Sequence, residues 1–381
     1  MVPSRAFPRT DPTRVVAFDA LRALAFLAVF CNHAAAAPML WVGVDLFFVM
    51  SGFLITGVLL NLKKGNGGYF GTFYSRRARR ILPPYCALLL AWFLAGNRNI
   101  IHDWAYYVFF AANLLVAMRR GRNGALTPLW SLAVEEQFYL LWPLAVYAFR
   151  PRMLRWFAFA LVAAAPILRG LFTHLAPHYQ YIYCLTPFRM DLLAAGALIA
   201  LVWRENPARL WKLHAPAGRG AALGIALLFG AALIWPEFRA RAGSLVFNTV
   251  GYSLATATFS CVVVYALTLR QGPMYHILTN PALTYIGTIS YMAYLVHQPC
   301  LDLLAKNRTV VGNAEALIMT LTLSSLSWRF MERPFMKKRR SAELSRGWVE
   351  RLRSGASGND EAPAPAVYAT GREAQCASNA R

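Results

Sequence analysis

An arginine and a histidine lie in line along the first apolar segment of the chain. Arg22 and His33 are eleven positions apart, which turns an α-helix by about 1100° and leaves the side chains about 20° apart in direction and roughly 16 Å apart along the axis. Charged residues within apolar segments are costly and are candidates for function. Because a histidine exchanges a proton near neutral pH, His33 suits a general base. Both residues also have purely structural explanations. His33 could be a histidine at the membrane interface, and Arg22 could reach the lipid headgroups while paired with Asp19.

Acidic residues occur in two later apolar segments. Asp45 lies in WVGVDLFFVMSGFLITG, and Glu135 and Glu136 lie in LTPLWSLAVEEQFYLLWP. Both segments are expected to bring these carboxylates to the depth of His33, where Asp45 or Glu135 could orient the imidazole. The adjacent glutamates point about 100° apart, so at most one faces a shared site. An acid stabilised by the helix dipole explains Asp45 equally well. His297, in ISYMAYLVHQP, is expected at a similar depth and could line the same cavity, but it is interpreted first as a core histidine.

A cluster of arginines stands in FYSRRARRILPPY. Arg77 and Arg80 share a helix face, and so do Arg76 and Arg79, so the register is open. Planar guanidinium groups bind phosphates in a bidentate manner. The same cluster could equally be an ordinary cytoplasmic concentration of positive charge.

The composition excludes most soluble proteins. The chain has 381 residues, of which 57% are hydrophobic and 15% charged, whereas about 25% of an average soluble protein is charged. The net charge of +22 does not indicate nucleic-acid binding, because the basic residues interrupt long apolar runs instead of forming one face. The six cysteines are scattered and form no C-x-x-C pair, so neither a metal site nor a disulfide framework is predicted.

The apolar runs predict an all-α, polytopic transmembrane helix bundle. Lysines and arginines in the loops favour cytoplasmic N- and C-termini, which requires an even number of crossings. The weakest segment, 104–118, contains the polar Asn113, so ten crossings plus one short re-entrant or interfacial helix are expected. The candidate segments are 15–36, 41–62, 81–97, 104–118, 127–149, 155–173, 186–203, 220–236, 245–269, 281–304 and 312–331.

Three regions follow from this pattern. Residues 1–14 form a cytoplasmic arm, residues 15–336 form the membrane domain, and residues 341–381 have the polar composition of a disordered cytoplasmic tail.

Five segments in a fixed order resemble acyltransferase family 3, whose integral membrane proteins acylate extracytoplasmic glycans and small molecules. They cover nearly all of residues 15–336, so the resemblance implies that these residues form an acyltransferase domain. The resemblance implies that Arg22 and His33 form the arginine-x10-histidine motif. It also implies that Arg77 and Arg80, or alternatively the register that begins at Arg76, bind the acyl-coenzyme A donor. The segments are AFDALRALAFLAVFCNHA, WVGVDLFFVMSGFLITG, FYSRRARRILPPY, LWSLAVEEQFYLLWP and ISYMAYLVHQP followed by WRFMERPF.

The resulting hypothesis is O-acylation at an inner (cytoplasmic) membrane. Acetyl-coenzyme A is the expected donor, no permanently bound cofactor or metal is expected, and the acceptor is a saccharide or small-molecule hydroxyl whose identity the sequence leaves open. His33 would be the base, Arg22 would bind the donor deeper in the channel than the Arg77 and Arg80 cluster, and the family glutamate falls on Glu135 or Glu136. The lipid bilayer is the other expected partner, and protein partners are unknown. The alternative is a polytopic transporter or flippase for a glycan-related substrate, with the intramembrane charges forming its pathway.

Overall fold

The computed structural model describes residues 16–35, 37, 39–65, 67–119, 123–235, 244–305 and 309–335. All of these belong to one unit, Met1–Phe335. The expected arm at 1–14 and tail at 341–381 lie outside the described residues. The described chain contains helices and no strand, which confirms the all-α prediction.

Fifteen α-helices follow one another along the described chain. Three short 3₁₀ turns connect them, and a π-helical turn precedes α12 and another follows α15. The helices are α1 Val16–Ala35, α2 Gly43–Lys64, α3 Tyr69–Leu94, α4 Arg98–Val108, α5 Ala112–Met118, α6 Leu129–Ala148, α7 Pro151–Phe172, α8 Tyr179–Cys184, α9 Met190–Glu205, α10 Pro207–Lys212, α11 His214–Ile234, α12 Tyr252–Thr268, α13 Pro273–Leu278, α14 Pro281–Leu304 and α15 Val310–Ser327. The π-helical turns are Phe247–Gly251 and Trp328–Glu332, and the 3₁₀ turns are Leu40–Val42, Gly124–Leu126 and Thr186–Phe188.

Six helical segments of the described chain are long and apolar enough to cross a membrane. A span needs about 20 apolar residues, and these six meet that requirement by length and composition. The number of crossings predicted from the sequence is larger, and it stays a prediction. The six segments are Val16–Ala35, Leu40–Lys64, Pro151–Phe172, His214–Ile234, Phe247–Thr268 and Val310–Phe335.

The arginine cluster lies inside a helix. The sequence predicted a membrane span from residue 81 with the arginines at its start, and the helix that contains this segment, α3, begins earlier, at Tyr69. Arg77 and Arg80 are therefore more than one helical turn inside α3. Their side chains are directed by the helix and are partly buried.

The weak segment 104–118 is broken in the middle. Phe110 has a left-handed φ of 52° and separates α4 from α5. A break of this kind leaves carbonyl groups without helical partners. Gln137 of α6 donates to the carbonyl of Phe110 at 3.0 Å and to Oδ1 of Asn113 at 3.0 Å. The glutamine of the EEQ sequence thus supports the interruption from a neighbouring helix.

Glycines allow two close approaches that define the centre of the bundle. A Cβ atom at Gly52 of α2 would lie 1.9 Å from the carbonyl oxygen of Leu193 in α9, and one at Gly196 would lie 2.0 Å from that of Val49. On α14, a Cβ atom at Gly287 would lie 1.6 Å from the carbonyl oxygen of Asp19 in α1. Backbones can approach this closely only where side chains are absent. The helix that carries Arg22 and His33 is therefore held directly against α14.

Candidate active site

The face of α1 that carries Arg22 and His33 is turned toward the protein. Phe26 and Val29 lie between them on this face and are 0% and 1% exposed. Arg22 and His33 are themselves partly buried. The guanidinium of Arg22 donates to Asp19 at 3.0 Å within the same helix. Arg22 and His33 can therefore both contribute to a site inside the protein.

A second histidine faces His33. Nδ1 of His33 lies 2.9 Å from Nε2 of His297 on α14, and the two rings stack with centroids 5.1 Å apart. His297 is completely buried, with Phe26 and Tyr294 against its ring. Its burial agrees with the interpretation of His297 as a core histidine, and its contact with His33 agrees with the alternative that both histidines belong to one site, although the pairing itself was not predicted. The sequence signal was present, since His297 belongs to one of the family-like segments.

The hydrogen bonds of His297 define the proton positions of the pair. Nδ1 of His297 lies 2.7 Å from the carbonyl oxygen of Tyr294. Because a carbonyl only accepts, this nitrogen carries the proton, and in the neutral ring Nε2 accepts. Nδ1 of His33 is then the donor toward His297. In a neutral His33 the lone pair consequently resides on Nε2, which is the nitrogen that can take up a proton.

Asp45 makes a different contact from the one expected. Its carboxylate pairs with Arg189, both residues being 0% exposed. The expectation that Asp45 orients His33 is wrong, because the imidazole of His33 contacts His297 instead. Local sequence fixes the depth of a side chain but does not specify which distant helix supplies its partner.

Arg189 and Asp191 belong to a buried network that the sequence reasoning missed. Arg169 of α7 pairs with Asp191 at 2.9 Å and donates to the carbonyl oxygens of Asn248 and Phe188 at 2.6 and 2.7 Å. The signal that could have revealed the network is the one that singled out Asp19, namely a charge within an apolar run. Such pairs between α2, α7 and α9 connect helices, and they do not contact His33.

Glu135 lies in a polar cluster nearer the middle of the helices. The hydroxyl of Ser51 donates to Glu135 at 2.7 Å. The guanidinium of Arg77 stacks on Tyr139, with its central carbon 3.9 Å from the ring centroid. Arg77 is also close enough to Glu135 and Glu136 to interact with both electrostatically. The expectation that at most one of the two glutamates faces a shared site stays a prediction, and the contact of Glu135 is with Ser51 instead of His33.

Arg80 extends the cluster to two other helices. Arg22, Arg77 and Glu332 are close enough to Arg80 to interact with it electrostatically. Glu332 is 1% exposed and belongs to the π-helical turn after α15. In the other register Arg76 is partly buried, whereas Arg79 is exposed. The geometry therefore groups Arg22 with Arg77 and Arg80.

A polar stripe on α6 leads from this cluster toward the histidines. Ser131, Glu135 and Tyr139 are spaced four residues apart and cover about 12 Å of one helix face. Tyr139 contacts Arg77 at one end. At the other end the hydroxyl of Ser131 is 2.6 Å from that of Tyr294, whose ring packs on His297.

Two cavities meet at His33. The first, the aromatic cavity, has a volume of about 190 Å³. The second, the polar cavity, has a volume of about 330 Å³. Side chains that line the aromatic cavity include Trp41, Trp130, Tyr179, Gln180, Tyr183 and Tyr294. The polar cavity is lined, besides His33, by Ala34, Gln298, Leu301, Asp302, Ala305 and Asn313.

α1 carries a proton-accepting histidine at one end and meets an arginine cluster toward the other. The histidine suits the activation of a nucleophile, and the arginine cluster suits the binding of an anion. Residues 15–327 match the family described as "Acyltransferase domain". This chain belongs to that acyltransferase family. No solved structure was found to match the chain.

Three curated bacterial relatives are similar to this member of the acyltransferase family. The chain is 28% identical to the peptidoglycan O-acetyltransferase OatA of Listeria monocytogenes, over 85% of this chain and 56% of the relative. It is 27% identical to the putative peptidoglycan O-acetyltransferase YrhL of Bacillus subtilis, over 88% and 57%. It is 26% identical to the O-acetyltransferase OatA of Staphylococcus aureus, over 86% and 58%. The matched part thus spans little more than half the length of these relatives.

Proposed function

We propose that this chain is a membrane-bound acyltransferase that moves an acyl group from cytoplasmic acyl-coenzyme A to a hydroxyl of an extracytoplasmic or lipid-linked saccharide. Acetyl is the expected acyl group. The observation that carries the proposal is the layout of α1. Its Arg22 belongs to a partly buried arginine cluster, whereas His33, roughly 16 Å along the same helix, pairs with His297 beside two cavities. The relatives' names, which specify O-acetylation of peptidoglycan, support a saccharide acceptor and do not favour the transporter alternative.

The proposed topology has ten crossings, with both termini in the cytoplasm and the protein in the inner membrane. The distribution of lysines and arginines among the loops supports this orientation. The interruption at Phe110, which divides 104–118 into two short helices, supports a segment that does not cross. In this topology the arginine cluster lies toward the cytoplasm and His33 lies toward the opposite side.

The donor is a substrate with several phosphate groups, and the arginine cluster suits them. Nε of Arg77 is buried and has no hydrogen-bond partner among the described residues. Guanidinium groups bind phosphate oxygens through charge-assisted hydrogen bonds. With the phosphates at Arg77 and Arg80, the extended arm of the donor would run along the α6 stripe. Its thioester would then come close to His33.

The transfer itself needs one base that gives and takes a proton. Nε2 of His33 accepts the proton of the acceptor hydroxyl as that oxygen attacks the thioester carbonyl. The carbon–sulfur bond breaks as the tetrahedral intermediate collapses, and the protonated His33 returns the proton to the departing thiolate. His297 keeps Nδ1 of His33 as a donor and thereby keeps Nε2 as the base. In this role His297 is a positioning residue.

The experiment uses the full chain in lipid nanodiscs with acetyl-coenzyme A and a muramidase-released peptidoglycan fragment. Release of free thiol and formation of the O-acetylated fragment are measured together. His33→Ala should lower turnover by at least about 100-fold, since general-base catalysis contributes about that much or more. Unchanged circular dichroism and size-exclusion profiles would verify folding. Full turnover in the folded variant would exclude the role given to His33, and wild-type protein that never cleaves the thioester would exclude acyl transfer.

A further inference from the structure

The polar cavity lies beside His33, on the side formed by the ends of α1, α14 and α15. Its wall contains the end of α1 at His33 and Ala34, the last turns of α14 and Asn313 near the start of α15. At about 330 Å³ it falls at the lower end of the volumes that bind small molecules, roughly 300–1,000 Å³. A cavity of this size holds one sugar ring with its substituents, but not an extended chain.

The polar groups of this cavity suit hydroxyl groups. Nε2 of Gln298 donates to Oδ1 of Asp302 at 2.8 Å, which fixes the carboxylate at the cavity wall. Oδ1 of Asn313 is buried and has no hydrogen-bond partner in the described part of the chain. Carboxylates accept and amides both donate and accept. A sugar hydroxyl, which also does both, can satisfy such groups together.

The remaining wall of the polar cavity is apolar. Ala34, Leu301 and Ala305 contribute small or aliphatic side chains to the same cavity. A sugar ring has a C–H face that such side chains cover, while its hydroxyls reach the polar groups opposite. An aliphatic acyl chain would instead leave the buried Oδ1 of Asn313 without a hydrogen-bond partner, which is unfavourable.

The aromatic cavity is approached differently. The α6 stripe that begins at Arg77 and Tyr139 ends at Ser131 and Tyr294, and Tyr294 lines the aromatic cavity. A donor that is bound at the arginine cluster therefore reaches His33 from this cavity. The polar cavity is left for the second reactant.

We propose that the polar cavity is the acceptor site, and that Asp302 and Asn313 bind the hydroxyl groups of one sugar ring next to His33. This assignment rests on the proposed function, since it names where that function takes its saccharide. His33 forms part of the walls of both cavities. The reacting hydroxyl and the thioester carbonyl thus approach the same imidazole from two sides.

Direct binding tests the site without turnover. A disaccharide–peptide fragment of peptidoglycan is titrated by calorimetry into the full chain in nanodiscs, in the absence of donor. Asp302→Asn and Asn313→Ala should each raise the Kd about tenfold, since each removes hydrogen bonds to the ligand. Glu315→Gln is the matched control, because it neutralises an exposed carboxylate on α15 that lies outside the cavity. Gln180→Ala probes the aromatic cavity and should leave this Kd unchanged.

Each outcome decides the assignment. Wild-type Kd values in both Asp302→Asn and Asn313→Ala, or a loss of binding caused by Gln180→Ala alone, would overturn it. A wild-type protein that does not bind the fragment would also overturn it for this class of sugar. Size-exclusion profiles identify any variant that fails to fold, and the other variant then carries the test.

The same samples separate this proposal from the proposed function. Thiol release from acetyl-coenzyme A is measured with saturating fragment, which supplies the acceptor hydroxyl that the proposed transfer requires. If the two variants cleave the thioester normally and bind the fragment as the wild type does, the proposed acceptor site is excluded and the proposed acyl transfer is retained. If the variants bind the fragment more weakly but the wild-type protein never cleaves the thioester, the proposed saccharide site is retained and the proposed acyl transfer is excluded.

Discussion

Nδ1 of His33 and Nε2 of His297 lie 2.9 Å apart although 264 residues separate them in the chain. The contact exists because α1 and α14 approach closely at Gly287, where a Cβ atom would lie 1.6 Å from the carbonyl oxygen of Asp19. One imidazole thereby determines which nitrogen of the other can act as a base. A neutral imidazole takes the place that a carboxylate occupies in other base-orienting pairs.

Substitutions of His297 should separate its positioning role from its packing role. His297→Leu removes the acceptor for Nδ1 of His33, and kcat should fall about 10- to 100-fold while the donor KM stays within about twofold. His297→Gln retains a side-chain oxygen that can accept this hydrogen bond, so it should recover a substantial part of kcat. Steady-state kinetics on folded protein measures both. Equal losses in the two variants would indicate that His297 serves only to fill space.

Removing the arginine cluster should weaken donor binding. Hydrogen bonds to charged groups contribute about 1.5–3 kcal/mol each, so Arg77→Ala combined with Arg80→Ala should raise the donor KM about 100-fold or more. The exposed Arg79 on the same helix provides the control, because Arg79→Ala should change this KM less than twofold. If Arg79→Ala has the larger effect, the donor uses the other register.

Asp45 should matter for stability and not for the chemical step. Removing one partner of a buried ion pair costs about 3–5 kcal/mol, so Asp45→Leu should lower the thermal unfolding temperature strongly in detergent. The double variant Asp45→Leu, Arg189→Met should regain most of this loss, because no unpaired charge is left inside. Fluorescence-detected unfolding gives the comparison. A folded Asp45 variant with normal stability and greatly reduced kcat would instead favour the catalytic role expected from the sequence.

The close contact of α2 with α9 predicts a contrast between two glycines of one helix. A Cβ atom at Gly52 would lie 1.9 Å from a carbonyl oxygen, whereas one at Gly57 meets nothing within 4 Å. Gly52→Ala should therefore destabilise the protein by about 1–3 kcal/mol or more, as overpacking does. Gly57→Ala should be neutral or slightly stabilising, because alanine is the better helix former by about 1 kcal/mol. Thermal unfolding of the two variants is measured side by side. A Gly52→Ala variant as stable as the Gly57→Ala variant would contradict this packing.

The sequence by itself determined the features that depend on local geometry. The helical period put Arg22 and His33 on one face of α1, and apolar composition established an all-α fold. The i, i+3 spacing put Arg77 and Arg80 on one face of α3. None of these features requires knowledge of which helices are neighbours.

Only the tertiary structure decided which side chains meet. It paired His33 with His297, Asp45 with Arg189 and Glu135 with Ser51. The first two pairings join helices that approach closely at glycines, α1 with α14 at Gly287 and α2 with α9 at Gly52 and Gly196. A single sequence carries the period of each helix, but the partner of a buried polar group follows from how the helices pack together.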